Sequence, residues 1–502
     1  MPRTLTAAAG PAALTLLLGL WGTEREDSMW RDEAATWQVA HRTVPEIWQM
    51  LDQVDVVHGL YYLFMHGVFG VFGDSLLALR LPSVLAMAGA AALVTLLGTE
   101  LADRCTGVAA GLAFSLIPAI QQYAQEGRPY ALVAACVALA CLLLVRAVRR
   151  PGAGRWAAYA AAVLAGALLN WFSLLVLFAH AAAVALTRPS GRTALSWAAA
   201  SLAAVLGALP LIAASRAQSG QVSWIHPVGG STLLGLLLTL FGGALCAWFA
   251  RPRGAAPLGD RPSLVALALP LLALPPLLLL AASLVQPVYL ARYVLFSHLG
   301  LALLIGAALR VLTYRLRAAP RRLVAGVAVL AFLGLLPVQL SLRHATSRVD
   351  DVLSTAERVA AVREPGDGVL YVPSARRDTA LVSPGGFAGS RDLALARSPL
   401  ESGTLNGVEG SPGEIADAIR TAQRVVVVSD RSAPAVSTRR DRAKQRVLRE
   451  EFVRCSETED RGRRVTVYRR GDVAPAGGGP SSPEQRTPCA APSARSSPAL
   501  HR

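Results

Sequence analysis

Long uncharged apolar runs alternate with short arginine-rich turns over the first two thirds of the chain. Runs at residues 76–98, 107–124, 129–147, 156–170, 172–187, 193–214, 231–250, 263–285, 292–312 and 321–341 approach or reach the ~17–25 residues that cross a bilayer as a helix. The opening run, residues 1–21, ends in Gly19-Leu20-Trp21-Gly22 rather than in a small-x-small cleavage pattern, so it reads as an uncleaved first span. The pattern predicts about eleven spans. The pair at 156–187 is separated only by Asn170 to Ser173, a tight turn rather than a loop. Residues 59–72 are short, aromatic and interrupted by His66, which favours an interfacial or re-entrant helix.

Beyond Arg343 the pattern changes. Residues 349–363 predict an amphipathic helix, 369–372 a strand, 414–422 a helix, and 425–428 and 465–468 two further strands, separated by Gly, Pro and Ser loops. The expected architecture is an α-helical polytopic membrane protein with a small C-terminal exported α/β domain. Its divisions are a transmembrane domain over 1–343, an extracytoplasmic domain over 344–470, and a Pro/Ser/Ala/Gly-rich disordered tail over 471–502. The α/β segment shows no glycine-rich phosphate loop and no catalytic motif of its own.

Composition supports the membrane reading: 53% of residues are hydrophobic and only 16% charged, with a mean hydropathy of +0.43. Soluble domains carry about 25% charged residues. The net charge of +16 would suggest nucleic acid, but the arginines lie in short loops and in the C-terminal third, so no nucleic acid is expected. With a cytoplasmic N-terminus, the inner loops hold Arg146, Arg149, Arg150 and Arg155, then Arg188 and Arg192, then Arg251, Arg253 and Arg261, then Arg310, Arg315, Arg317, Arg321 and Arg322. Asp260 is the one acid among them, and the loop with Glu100, Asp103 and Arg104 is the exception. This satisfies the positive-inside rule for a multi-pass cell-membrane protein and places the C-terminal domain outside. The six cysteines include no CxxC or Cys/His cluster, so no zinc site is indicated; a Cys455–Cys489 disulfide is one candidate pairing.

Polar groups then collect on the outward ends of the spans. The loop after the first span carries eight carboxylates (Glu24, Glu26, Asp27, Asp32, Glu33, Glu46, Asp52 and Asp55), with Asp32 and Glu33 adjacent inside Trp30-Arg31-Asp32-Glu33-Ala34. His58 precedes the interfacial helix, Tyr61 and Tyr62 lie in its first turn, and Arg80 enters the next span. Gln125, Glu126, Arg128 and Tyr130 form an outward turn, and Arg292 and Tyr293 open a late span. Outward arginines suit a phosphate, because a guanidinium pairs with its oxygens in a bidentate fork. A carboxylate suits a base for an acceptor hydroxyl, and aromatics suit a sugar face or an isoprenoid chain. Outside the cell no nucleotide sugar is at hand, so an energy-rich donor has to arrive in the lipid. A bland reading stands beside each: snorkelling anchors for Arg80, Arg128 and Arg292, an interfacial belt for the aromatics, solvated loop acids for Asp52 and Asp55, and helix packing for His180 and His298.

Five stretches together resemble the GT-C glycosyltransferases, in particular glycosyltransferase family 39, which contains protein O-mannosyltransferases and bacterial aminoarabinose transferases. They are Trp30-Arg31-Asp32-Glu33-Ala34, His58-Gly59-Leu60-Tyr61-Tyr62, Leu79-Arg80-Leu81-Pro82-Ser83, the run from Tyr123 to Leu132, and Ala291-Arg292-Tyr293. The chain departs from bacterial relatives at His58-Gly59, often His-Pro-Pro, and at Asn170-Trp171, often a His-Tyr pair. The resemblance implies transfer of a sugar, with mannose a candidate, from a polyprenyl-phosphate donor to an extracytoplasmic protein, glycan or lipid hydroxyl. Asp32 would be the base with Glu33 beside it, and Arg128, Arg292 and Arg80 would hold the donor phosphate. His58, Tyr61, Tyr62, Gln125, Glu126, Tyr130 and Tyr293 would line the substrates. No cofactor is expected, and a divalent cation at the acids is left open. The rival readings are a lipid-phosphate flippase, which would place its polar groups near the bilayer midplane, and a silent membrane scaffold.

Overall fold

The computed structural model describes residues 2–218, 220, 225–251, 263–432 and 438–471. Cys489, the tail from 472 onward, and the inner-loop residues Arg253, Asp260 and Arg261 lie outside the described residues. The helices in chain order are α1 (Pro2–Leu20), α2 (Arg31–Ala40), α3 (Val44–Leu51), α4 (Gly59–Phe72), α5 (Leu76–Leu101), α6 (Arg104–Leu116), α7 (Pro118–Ala124), α8 (Tyr130–Arg149), α9 (Ala153–Leu169), α10 (Val176–Thr187), α11 (Gly191–Ala217), α12 (Gly230–Phe249), α13 (Leu264–Ser283), α14 (His298–Arg315) and α15 (Pro320–Arg343). All eleven apolar runs are therefore helical. Among the described residues seven helices are long and apolar enough to cross a membrane, or eight if α6 and α7, bent by 65° at Ile117–Pro118, count as one span. Pro118 lacks an N–H and disfavours helix in the residue before it, which accounts for the break.

The chain divides into two compact units: Met1–Glu26 with Ala40–His344, and Asp27–Val39 with Ala345–Arg502. At the covalent junction Arg25, Glu26 and Asp27 have φ of 50°, 54° and 54°. Each left-handed non-glycine residue costs roughly 1–2 kcal/mol, so neighbouring interactions must hold this turn.

In the first unit α1 packs on α5 and α6, α6 on α14, α5 on α8, and α10 on α13. Lipid gives no hydrophobic drive for helices to associate, so close approach of small residues has to do it. At Gly306 an added Cβ would lie 2.6 Å from the Thr106 carbonyl and 2.8 Å from Ala110 N, and at Gly300 one would lie 2.3 Å from the Ala268 carbonyl. The end of α1 is capped from two sides. Arg343 donates to Leu18 O (2.5 Å) and Trp21 O (2.7 Å), and Gln125 Nε2 donates to Gly19 O (3.0 Å) and Trp21 O (2.8 Å). These bonds satisfy carbonyls that a helix C-terminus leaves open.

The second unit is a three-layer α/β fold. Strands β1 (Gly368–Val372), β2 (Arg391–Asp392), β5 (Arg424–Asp430), β6 (Phe452–Asp460) and β7 (Arg463–Arg470) form a sheet in the order β2-β1-β5-β7-β6, while β3 (Leu395–Arg397) and β4 (Val408–Glu409) make a small hairpin. β1 runs parallel to β2 and β5, and β7 antiparallel to β5 and β6. Successive strand residues point to opposite faces. Val425 and Val427 accordingly face α19 (Pro412–Thr421) and α20 (Arg439–Glu451), and Val426 and Val428 face α16 (Val352–Val362). Two short helices, α17 (Asp378–Val382) and α18 (Pro399–Ser402), complete the unit. The chain's single lysine, Lys444, is fully buried between Glu409 (2.8 Å), Asp441 (3.2 Å) and the Tyr371 carbonyl (2.8 Å). A buried charge needs such partners.

Candidate active site

The first unit brings four of the sequence stretches together. Residues 51–58 form a bend between α3 and α4, fixed by Gln218 at the end of α11: its Nε2 donates to Leu51 O (2.7 Å) and its Oε1 accepts from Val56 N (3.0 Å). Asp55, in the left-handed region at φ 60°, reverses the chain. Gly59 lets α4 start against α3, since an added Cβ would lie 2.8 Å from Leu51 Cδ1. Tyr61 and Tyr62 are fully buried. The Tyr62 hydroxyl donates to Asp55 Oδ2, and His58 Nε2 lies 4.0 Å from Asp55 Oδ1.

The turn at 125–129 is equally constrained. Ser83 Oγ on α5 donates to the Glu126 carbonyl (2.6 Å) and reaches the Arg128 carbonyl (3.3 Å), and Arg128 N donates to Glu126 O (2.8 Å). Gly127 permits the approach, because a Cβ there would lie 2.5 Å from Leu79 Cγ. Thus Ser83, Leu79 and Gln125 all serve to hold Arg128 in place. Arg128 is only 6% exposed, its guanidinium reaches the Tyr62 hydroxyl, and its charge acts on His58 together with that of Arg292. Two cations converging on a buried imidazole form a site of positive potential that favours an anion.

Arg292 comes from the turn of 3-10 helix Ala291–Ser297 that precedes α14. Its guanidinium carbon is 5.8 Å from the centroid of Tyr130 and 6.0 Å from that of Tyr293, within cation–π range. Tyr123, Tyr130, Tyr293, Phe172 and Trp171 make a continuous aromatic ladder with centroid spacings of 5.8, 6.2, 4.8 and 4.1 Å. Trp171, Phe172 and Tyr293 are half-buried and so present partly open faces.

The remaining candidates fall as follows. Arg80 is fully buried on α5 and donates to the Thr23 carbonyl (2.5 Å), just past the end of α1. Glu126 is buried in its turn. Asp32 and Glu33 occupy the first turn of α2 and belong to the second unit, Asp32 half-buried and Glu33 buried. His180 bonds Tyr159 (2.9 Å) and Cys141 (3.3 Å), and His298 bonds Leu295 O (2.9 Å), so both have helix-packing partners. Among the described residues no group of three or more His, Cys, Asp or Glu side chains is placed to hold a metal ion. Asp55 is the residue that sequence reasoning missed. In the sequence it reads as one more solvated loop acid, and its bond to Tyr62 shows only in the fold.

Residues 60–215 match the family described as dolichyl-phosphate-mannose-protein mannosyltransferase. No curated protein sequence matches the chain. Among solved structures it is similar to ArnT from Cupriavidus metallidurans in the apo state, with a TM-score of 0.60 and 14% identity over 91% of this chain and 97% of that one. ArnT bound to undecaprenyl phosphate matches with a TM-score of 0.56 and 13% identity over the same shares. The chain is a polytopic membrane protein with the GT-C glycosyltransferase fold.

Proposed function

We propose that the protein transfers a sugar, with mannose the first candidate, from a polyprenyl-phosphate donor to an extracytoplasmic hydroxyl, with inversion at the anomeric carbon. The observation that carries this reading is the convergence of Arg128 and Arg292 beside His58, next to an aromatic ladder. The family match to a mannosyltransferase and the similarity to an ArnT complex that holds undecaprenyl phosphate support the class of donor.

In the proposed reaction the Asp32 carboxylate takes the acceptor proton as the acceptor oxygen bonds to the anomeric carbon. The bond from that carbon to the donor phosphate oxygen breaks, and polyprenyl phosphate leaves. A phosphodiester with one negative charge becomes a monoester that gains a second, so two guanidinium groups stabilise the transition state more than the ground state. Tyr62, tied to Asp55, orients the Arg128 fork, and Tyr130 and Tyr293 brace Arg292 against the sugar or the lipid. The orientation that goes with this reading has the N-terminus cytoplasmic and α2 exported.

The test is transfer of labelled sugar from synthetic polyprenyl-phosphate mannose to envelope acceptors, comparing the wild type with Asp32→Asn. The asparagine keeps the shape and removes the proton acceptor. Loss of transfer with normal membrane insertion supports the base; retained transfer refutes it.

A further inference from the structure

Residues 27–39, which carry Asp32 and Glu33, fold with the C-terminal unit. Two adjacent buried carboxylates, Asp350 and Asp351, make the attachment; they are 2% and 0% exposed. Met29 N donates to Asp351 Oδ1 (3.1 Å), and Val352 N donates back to Met29 O (2.7 Å). Arg31 N donates to Asp350 Oδ1 (3.1 Å), and Arg31 Nε lies 3.2 Å from Asp350 Oδ2. The last of these holds is on the residue immediately before Asp32.

Each carboxylate is anchored from behind by the β6–β7 hairpin. Arg463 donates to Asp350 Oδ2 from Nη2 (3.0 Å) and Nε (3.2 Å) and also holds Asp378 (2.6 and 2.8 Å) and the Thr379 hydroxyl, and Arg461 Nη1 donates to Asp351 Oδ2 (2.8 Å). The hairpin turn is pressed onto the same place: Gly462 has φ 86°, and a Cβ there would lie 2.0 Å from the Val349 carbonyl. Only glycine fits that approach. Asp351 Oδ1 also accepts from Leu353 N (3.1 Å) at the start of α16. Two carboxylates thus connect the hairpin, α16 and the segment leading into α2. Burying two acids is costly unless each is fully paired, and each here is.

We propose that Asp350 and Asp351 are positioning residues for glycosyl transfer: the C-terminal unit fixes the segment that carries Asp32, and so acts as part of the catalytic machinery rather than as an appended domain. This rests on the reading of Asp32 as the base. A first-loop acid on a segment of this kind would otherwise sample many orientations, and small misplacement of a reacting group costs up to roughly a hundredfold in rate.

The experiment uses the full-length protein in lipid nanodiscs. Three variants are compared with the wild type: Asp351→Ala, Asp351→Asn and Arg31→Ala. Arg31→Ala removes the Nε–Asp350 ion pair from the segment side, keeps the backbone bonds of Met29 and Arg31, and leaves the Arg463 bonds to Asp350 and Asp378 intact, which guards against simple unfolding. The first readout is hydrogen–deuterium exchange in the peptide spanning Met29 and Arg31. Faster exchange confined to that peptide is expected in Asp351→Ala and Arg31→Ala, with partial rescue in Asp351→Asn, which retains an acceptor oxygen for Met29 N. The second readout is kinetic: kcat should fall roughly ten- to a hundredfold, while KM for polyprenyl-phosphate mannose stays within about twofold. Unchanged exchange, or a loss that falls on KM alone, overturns the positioning role. Asp32→Asn run in parallel separates the two ideas: if it stays active the base assignment fails, whereas the exchange result judges the attachment by itself.

Discussion

If Arg128 and Arg292 bind one phosphate, their effects on transfer must be coupled. Replacing Arg128 by alanine removes a guanidinium that is 6% exposed, yet leaves its turn held by Ser83 and Gln125. The loss is therefore of charge and hydrogen bonds at the site rather than of backbone. Removing one preorganised donor to a developing anion costs about 2.7–4 kcal/mol, or roughly a hundred- to a thousandfold in kcat/KM. Arg292→Ala should fall in the same range, because its two tyrosine contacts at 5.8 and 6.0 Å hold the cation but donate nothing to an anion. The double variant should be much less impaired than the product of the two, since either loss already spoils the same electrostatic site. A coupling of about 1 kcal/mol or more is expected, against about 0.3–0.5 kcal/mol for independent positions. The assay is initial-rate transfer from labelled polyprenyl-phosphate mannose with all four proteins in identical nanodiscs. Additive effects within that smaller margin, or single losses below about threefold, would refute the shared-phosphate reasoning.

Gly306→Ala should lower the thermal midpoint in detergent, since its Cβ would meet Thr106 O and Ala110 N, backbone atoms that cannot yield; overpacking of this kind costs about 1–3 kcal/mol. Gly89→Ala, where an added Cβ meets nothing within 4 Å, is the matched control and should be neutral or better. The attachment of residues 27–39 should also have a defined pH dependence. Burial raises the Asp350 carboxyl, but Arg463 of β7, Arg31 of α2, Arg376 after β1 and the Arg31 N–H outweigh it and hold it below the usual carboxylate range. A depressed folded value means the stabilisation is complete above the unfolded value of about 3.9 and is lost as the pH falls through the folded one. Corrected exchange protection at Met29 and Arg31 should stay flat from about pH 8 to 5 and fail only below about pH 4. A loss near neutrality would mean another group controls it.

Much of the helical unit was legible because period and length are local properties. The apolar runs and the stretches holding His58, Arg128 and Arg292 follow from neighbours in the chain, whereas the run 107–124, read as one span, is broken at Pro118. In the second unit, helix 352–362 and strands 368–372, 424–430 and 463–470 were foreshadowed by alternation and amphipathicity. Helix α20 was not, because nine of the thirteen residues of Arg439–Glu451 are charged and the helix buries only Asp441, Ala443, Lys444, Val447 and Leu448. Strand β6 escaped because it is an edge strand whose polar residues mostly face water. Asp55 was hidden among seven other acids of its loop, and only its left-handed backbone and the Tyr62 hydroxyl single it out. The roles of Asp350 and Asp351 lay beyond local patterning, because their partners Met29 and Arg31 are 322 and 319 residues away.

The most direct test of the central claim is to follow the lipid. Purified protein in liposomes is given labelled polyprenyl-phosphate mannose together with an envelope acceptor fraction from cells lacking the protein. The account predicts one polyprenyl phosphate released for each sugar that becomes acceptor-linked, with neither product formed by Arg128→Ala above a small residue of the rate. Label that crosses the bilayer still joined to its lipid, with no polyprenyl phosphate released, would make the protein a carrier and contradict the account.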